Sequence, residues 1–284
     1  MILEELSLPD LITFGGTRKE NAEGVKVYIE KRRRSLFSTF IDNVDAFTDL
    51  MERTGTVISG SSALHLFQAK SKAVALQDLD IYVTREFEEI VLEHLKEVEG
   101  YKVKKTATRR IDYDSSAITK VHKLAHKKKK IDVIITDWAS AIVPILQYHS
   151  TVVMNYITAR TFVSLYPKWT NQMKSLVNPC IYMDDKSNLR TALALMKYIR
   201  RGFDVSAEPF KLGVHNCHQS GYCPRTTRNT IDNITLRWQF TPMNTLGKTK
   251  IVCDDMAVIV WCLGGEDCEE DGDERRPAYI GVTG

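Results

Sequence analysis

Three short stretches decide the fold: Val57-Ile58-Ser59-Gly60-Ser61, Asp78-Leu79-Asp80-Ile81-Tyr82-Val83 and Lys130-Ile131-Asp132-Val133-Ile134-Ile135. Thr56 to Ile58 reads as a short buried strand. It runs into a small-residue turn (59–62) that opens a helix through Ala63, Leu64, Leu66 and Phe67, capped by one of the serines. Successive side chains of a strand take opposite faces. Leu79, Ile81 and Val83 therefore enter the core, while Asp78 and Asp80 point together the other way. Ile131, Val133 and Ile135 lift Asp132 out of its strand (Ile131 to Thr136) in the same manner.

Three carboxylates on one sheet face repel one another and are costly when unpaired. Divalent cations relieve that cost, and hard oxygen ligands suit Mg²⁺ or Mn²⁺. Gly60 lets the backbone come close to a ligand, and the amides that open the next helix favour an anion such as phosphate. Taken singly, Gly60-Ser61 is an ordinary helix cap and Asp-x-Asp an ordinary solvated edge. Taken in this order, they describe phosphoryl or nucleotidyl transfer at a metal site.

The order of Gly-Ser turn, Asp-x-Asp strand and lone Asp on a later strand resembles the polymerase-β-like nucleotidyltransferase superfamily over residues 55–137. The wording from Ile58 to Phe67 and from Gln77 to Val83 also looks like a group of mostly uncharacterised fungal members. The resemblance implies an α/β (α+β) fold: a mixed-sheet nucleotidyltransferase-type catalytic domain with flanking helices and a C-terminal α/β extension. It implies that Gly60, Ser61 and Ser62, with Lys130, hold a nucleoside triphosphate, ATP by preference. Asp78 and Asp80 would ligate the metals, and Asp132 would ligate the catalytic metal and help activate the acceptor hydroxyl. RNA or another nucleic acid is one acceptor it allows. Sixteen residues separate Ser61 from Asp78, more than the roughly ten to thirteen usual in the family; a loop at 69–75 absorbs the excess, because small surface insertions cost little.

Outward from this centre, residues 22–53 are helical in pattern with a break at a basic turn, and Gly55 closes them as a C-cap. Arg85 to Val98 is an amphipathic helix ending at Gly100. Val103 to Thr108 and Ile118 to Leu124 are strands of a basic hairpin, and Ala139 to Gln147 is a helix. Strands and helices interleave over roughly 40–160, which argues an α/β domain. After Thr161 the character shifts. A helix with apolar positions Leu189, Leu193, Met196 and Ile199 is capped by Asp184 or Ser187. A Cys-, His- and Pro-rich loop spans 209–228, with Arg225 and Arg228 read as surface arginines. Late strands at Ile234 to Phe240 and Lys250 to Leu263 flank a turn at 241–247. Two regions follow: 1–160, catalytic with N-terminal helices, and 161–284, packed on the first and lining its cleft.

The chain of 284 residues is 43% hydrophobic and 26% charged, with a net charge of +3, which excludes wholesale disorder and collagen-like structure. Glu4 and Glu5 stand in the first ten residues, so no signal peptide is expected. The longest uncharged run, Trp138 to Ala159, contains Pro144, Gln147, His149, Ser150 and Asn155 and suits a packed helix and strand better than a membrane span. The expectation is an intracellular, soluble protein, cytoplasmic or nuclear, without a membrane partner. All six cysteines lie from Cys180 onward and are expected as thiols. Cys217 and Cys223, with His215 and His218 beside them, form a ligand-rich stretch that lacks the second short-spaced couple of a usual zinc site. Eleven Lys or Arg against Asp112 and Asp114 give residues 101–130 a balance of +9. That segment supports an alternative: a non-catalytic nucleotidyltransferase-fold protein that binds nucleic acid or a protein partner. The acidic stretch Glu266 to Glu274 reads as a solvated loop.

Overall fold

The computed structural model describes residues 2–108, 117–183, 189–213, 216–217, 220–240, 258–266 and 276–283. After a 3-10 turn (Ile2–Glu5) come three helices: α1 (Leu8–Gly15), α2 (Lys19–Ser38) and α3 (Val44–Thr54). Strand β1 (Val57–Ser59) leads directly into α4 (Gly60–Phe67), and β2 (Leu79–Thr84) into α5 (Glu88–Glu93). The meander β3 (Lys102–Thr108), β4 (Ile118–His126) and β5 (Lys129–Thr136) follows. Next are α6 (Val143–Leu146), β6 (Asn155–Ile157), β7 (Thr161–Ser164), α7 (Pro167–Asn171), β8 (Lys174–Leu176), α8 (Cys180–Met183) and α9 (Leu189–Arg200). The chain closes with β9 (Asp204–Ser206), α10 (Pro209–Leu212), β10 (Arg228–Asn229), β11 (Leu236–Gln239), β12 (Val258–Cys262) and β13 (Tyr279–Thr283).

The architecture is mixed α/β, of the α+β kind, around an eight-stranded sheet in the order β11-β7-β6-β1-β2-β5-β4-β3. β1 is antiparallel to β2 and β6, β2 is parallel to β5, and β4 is antiparallel to both β5 and β3. One face of the central strands is the core: Leu79, Ile81, Val83, Ile131, Val133 and Ile135 are at most 1% exposed, as the alternation requires.

Several local expectations change. The basic run Lys31 to Arg34 is not a turn but part of α2. Two of its guanidinium groups are buried there because they find acceptors. Arg32 Nη2 donates to the carbonyls of His65 (2.9 Å) and Gln68 (2.8 Å), and Arg33 donates to Glu30 (2.7 Å) and the Ala159 carbonyl (3.0 Å). The break falls later, at 39–43, where the Glu99 carboxylate accepts the amides of Asp42 and Asn43 and Asn43 caps α3. Gly55 ends α3 with φ of 61°, as a C-cap should. The helix expected over 139–147 shrinks to the single turn α6, because Pro144 supplies no amide and Ser140 turns back onto the Ile142 amide. The helix over 85–98 is composite, with a 3-10 turn before α5 and a π turn (His94–Val98) after it.

By compactness the chain divides into two units. The first comprises 1–144, 155–163 and 237–256, and the second 145–154, 164–236 and 257–284. The division is not a single cut near 160, because the sheet of the first unit recruits strands on both sides of it. In the second unit β8 pairs with β9 in parallel, and β10, β12 and β13 form a small sheet. Its core is aromatic: Tyr166 stacks on Trp169, and Tyr222 meets both edge-on. Arg225 and Arg228 are buried here, not on the surface. Arg228 forks onto Asp232 (2.9 and 3.0 Å), donates to the Leu165 carbonyl (2.6 Å) and lies between the rings of Tyr166 and Trp261. On α9, Tyr198 is the buried residue, whereas Leu189, Leu193, Met196 and Ile199 are exposed. The expected caps Asp184 and Ser187, the turn 241–247 and the start of the strand at 250 lie outside the described residues. Among the described residues, no helix is long and apolar enough to cross a membrane.

Candidate functional site

The parallel pairing of β2 and β5 sets Asp80 level with Asp132, and neighbouring strands lie about 4.8 Å apart. Both carboxylates stand on the face opposite the apolar core, partly buried. On the other side of β2, the antiparallel register brings Ser59 level with Asp80. The chain then turns at Gly60, whose φ of +67° belongs to the left-handed region. A Cβ at Gly60 would collide with Asp80 Oδ2 and stand 3.2 Å from its Cγ. Glycine is therefore required twice, for the turn and for the space, because the Asp80 carboxylate abuts the first residue of α4. A carboxylate at a helix N-terminus is favourably placed in the helix field.

The serines act differently from a simple cap. Ser59 makes no side-chain cap; its hydroxyl donates to the Asn155 carbonyl (2.6 Å) in the sheet. Ser61 and Ser62 are buried in the first turn of α4. Ser62 Oγ donates to the Asp78 carbonyl (3.2 Å), tying together the two ends of the long connection. That connection is packed rather than loose. His65 Nδ1 meets the Val74 carbonyl (2.8 Å), Gln68 Oε1 accepts the Val74 amide (3.0 Å), and a 3-10 turn spans Lys70–Lys72. Asp78 lies just before β2, which begins at Leu79, two residues after the start expected at Gln77.

Further across the sheet, Asp132 is level with Lys123 of β4, and Lys123 Nζ reaches Asp132 Oδ2 at 3.0 Å. Lys105 of β3 is level with Lys123 in turn. The row over five strands thus reads Ser59, Asp80, Asp132, Lys123, Lys105: two carboxylates followed by two ammonium groups. Lys130 shares the face of Asp132, two residues back along β5, and is exposed. Of its neighbours, Lys127 and Lys128 form the exposed tip of the β4–β5 hairpin, with Lys127 at φ of 53°, and Lys129 pairs with Asp42 (2.6 Å). Sequence reasoning missed Lys123; only the antiparallel register of β4 on β5 identifies it.

The structure therefore brings Asp80, Asp132 and Gly60 together. Among the described residues, no group of three or more His, Cys, Asp or Glu side chains is arranged to hold a metal ion. In the second unit, Cys217 Sγ and Cys223 Sγ are 3.8 Å apart; His215 and His218 lie outside the described residues.

A second polar group, also missed, sits on the opposite face of the sheet beneath α5. Glu88 receives Lys120 Nζ (2.6 Å) and His122 Nε2 (2.7 Å), and His122 Nδ1 meets Thr106 Oγ1 (2.9 Å). Burial acts to raise the Glu88 carboxyl, but the hydrogen bonds from Lys120 and His122 outweigh it and hold the group below the usual carboxylate range. This network fastens α5 to β4.

Comparison of the chain with protein-family models, with curated proteins and with solved structures finds no match in any of the three.

Proposed function

We propose that the chain is a metal-dependent nucleotidyltransferase that transfers a nucleoside monophosphate from a nucleoside triphosphate, ATP by preference, to an acceptor hydroxyl. The observation that carries this reading is the level pairing of Asp80 with Asp132 on adjacent parallel strands, with the Gly60 turn pressed against Asp80. In the reaction, the acceptor oxygen bonds to the α-phosphorus, the bond from that phosphorus to the bridging oxygen breaks, pyrophosphate leaves and the hydroxyl proton is released.

The donor set suits Mg²⁺ or Mn²⁺. These ions take one or two carboxylates and complete their shell with water and substrate phosphates, rather than requiring a cage of protein ligands. Asp80 and Asp132 would hold the ion, which supplies charge neutralisation at the phosphoryl oxygens. The start of α4 at Gly60 and Ser61 offers backbone amides to the triphosphate. Lys123 neutralises Asp132 in the free protein, and together with Lys130 it provides positive charge on the face where the triphosphate lies. The test is transfer of label from a panel of radiolabelled triphosphates onto total RNA, protein or the chain itself, with Mg²⁺ and with Mn²⁺. Wild-type protein transfers label, and Asp80→Asn and Asp132→Asn each lower the rate at least about a hundredfold while the far-UV spectrum is unchanged. Equal transfer by the double variant would refute the reading.

A second reading draws on β3, every residue of which is exposed at the edge of the sheet, with Lys102, Lys104 and Lys105 along it. This is a basic edge suited to nucleic-acid phosphates without catalysis. It predicts salt-sensitive binding of RNA without triphosphate consumption, weakened when Lys102, Lys104 and Lys105 are changed to Glu. Binding indifferent to that change would eliminate it.

A further inference from the structure

Away from the carboxylate face, one cluster sets a hydroxyl, an imidazole and a carboxylate in series. Thr106 of β3 stands level with His122 of β4, so the two side chains rise from the same face of the sheet within about 5 Å of each other. Thr106 Oγ1 and His122 Nδ1 are 2.9 Å apart, and on the far side of the ring His122 Nε2 meets Glu88 Oε1 at 2.7 Å. His122 and Glu88 are buried, at 8% and 9% exposure, whereas Thr106 is exposed. The hydroxyl is open to solvent while the groups behind it are held in place.

The direction of the protons follows from Glu88. Burial opposes its ionisation, but the hydrogen bonds from Lys120 and His122 keep the carboxyl below its usual range. It is therefore a carboxylate at neutral pH, and a carboxylate only accepts. Nε2 is then the protonated nitrogen. In the neutral imidazole this leaves the lone pair on Nδ1, and Thr106 donates in the 2.9 Å contact. Lys120 Nζ lies 2.6 and 2.9 Å from the two Glu88 oxygens, so the carboxylate is balanced without a second proton on the ring. A hydroxyl whose proton points at an unprotonated ring nitrogen, on a ring oriented by a buried carboxylate, is the arrangement that makes an alcohol nucleophilic.

A donor for a developing oxyanion lies beside it. Among the described residues β3 pairs only with β4, at the edge of the sheet, so every second amide along it faces outward. Thr106 and Ala107 are consecutive and regularly paired, and the amide of one of them is among these, next to the hydroxyl.

We infer that Thr106, His122 and Glu88 form a nucleophilic site that takes an acyl group from an activated carboxylic ester. Thr106 Oγ1 bonds to the carbonyl carbon and its proton passes to His122 Nδ1. The bond from that carbon to the leaving oxygen breaks, and the departing oxygen takes the proton from Nδ1. Glu88 is a positioning residue, which fixes the orientation and tautomer of the ring. The inference is independent of the nucleotidyltransferase reading, because Lys123, next to His122 in β4, points to the other face and meets Asp132 there.

Labelling with a fluorophosphonate, which phosphonylates activated hydroxyls with loss of fluoride, tests it on the full chain, read by intact mass and by mapping of the modified peptide. Native wild type takes up a single label, at Thr106, and loses that reactivity when unfolded in urea. Thr106→Val, which keeps the shape of the side chain, abolishes the label, and Thr106→Ser keeps it and reacts faster because a primary hydroxyl is less hindered. His122→Gln lowers the labelling rate at least about a hundredfold, the low end of what a positioned base supplies. Glu88→Asp retains part of the rate that Glu88→Gln loses. Failure of native wild type to label would overturn the inference. So would a label that maps elsewhere and survives Thr106→Val, or a Thr106 label acquired at the same rate by His122→Gln.

Discussion

Replacing Gly60 by alanine probes the joint on which the carboxylate face depends. At φ of +67°, an L-residue with a Cβ pays about 1–2 kcal/mol for the left-handed conformation. The new methyl also overlaps Asp80 Oδ2, and forcing that carboxylate off its rotamer adds about 0.5–1.5 kcal/mol. The sum is about 1.5–3.5 kcal/mol. For a unit of this size a loss of 1 kcal/mol lowers Tm by about 2–4 °C, so Gly60→Ala should melt about 3–14 °C below wild type. The two contributions separate in a double-mutant cycle with Asp80→Ala. Without the carboxylate, the alanine at position 60 keeps its conformational cost but loses the overlap, so the pair couples by about 1 kcal/mol. Circular-dichroism melts of the four proteins measure it. A full penalty in both backgrounds would show that the Asp80 carboxylate does not abut the turn, and no penalty in either would show that the turn is not left-handed.

Three further outcomes follow from the rest of the molecule. Arg228→Met leaves the Asp232 carboxylate without its bidentate partner beside a buried aromatic cluster, and chemical denaturation should register a loss of about 3–5 kcal/mol. The depressed Glu88 carboxyl contributes stability that is present above its unfolded pKa and lost as pH falls through its lower folded value; Glu88→Gln should flatten the acid limb of the pH–stability profile below about pH 4.5. Burial lowers the His149 imidazole from 6.5 to about 4, so the unfolded chain binds the proton first. Stability is complete above pH 6.5 and declines toward pH 4 by up to about 3 kcal/mol, and His149→Gln should remove that decline in melts recorded between pH 7.5 and 4.5.

Much of the carboxylate face was legible because strand alternation is a local rule. Leu79, Ile81 and Val83, and Ile131, Val133 and Ile135, announce which side of each strand is core, and the intervening carboxylates must take the other. Gly60 was legible for a similar reason, since a glycine between a strand and a helix marks a turn that a Cβ would obstruct. The arginines were misread because their fate is settled by distant acceptors. Arg32 and Arg33 look like a basic turn until carbonyls of α4 and the Ala159 carbonyl are brought to them, and Arg228 looks like a surface residue until Asp232, Leu165 and two aromatic rings enclose it. The helix expected at 139–147 failed on a point that local chemistry does supply, the missing amide of Pro144.

The amino-acid order by itself determined the strands that carry Asp80 and Asp132, the side of each that is buried, and the small-residue turn at Gly60, because periodicity and backbone sterics act within a few residues. Only the tertiary structure decided which carboxylate stands level with which. The parallel register pairs Asp80 with Asp132, and the antiparallel one sets Lys123 against Asp132. Register is a long-range property, fixed by how whole strands bury their apolar faces together, and no single stretch of chain contains it.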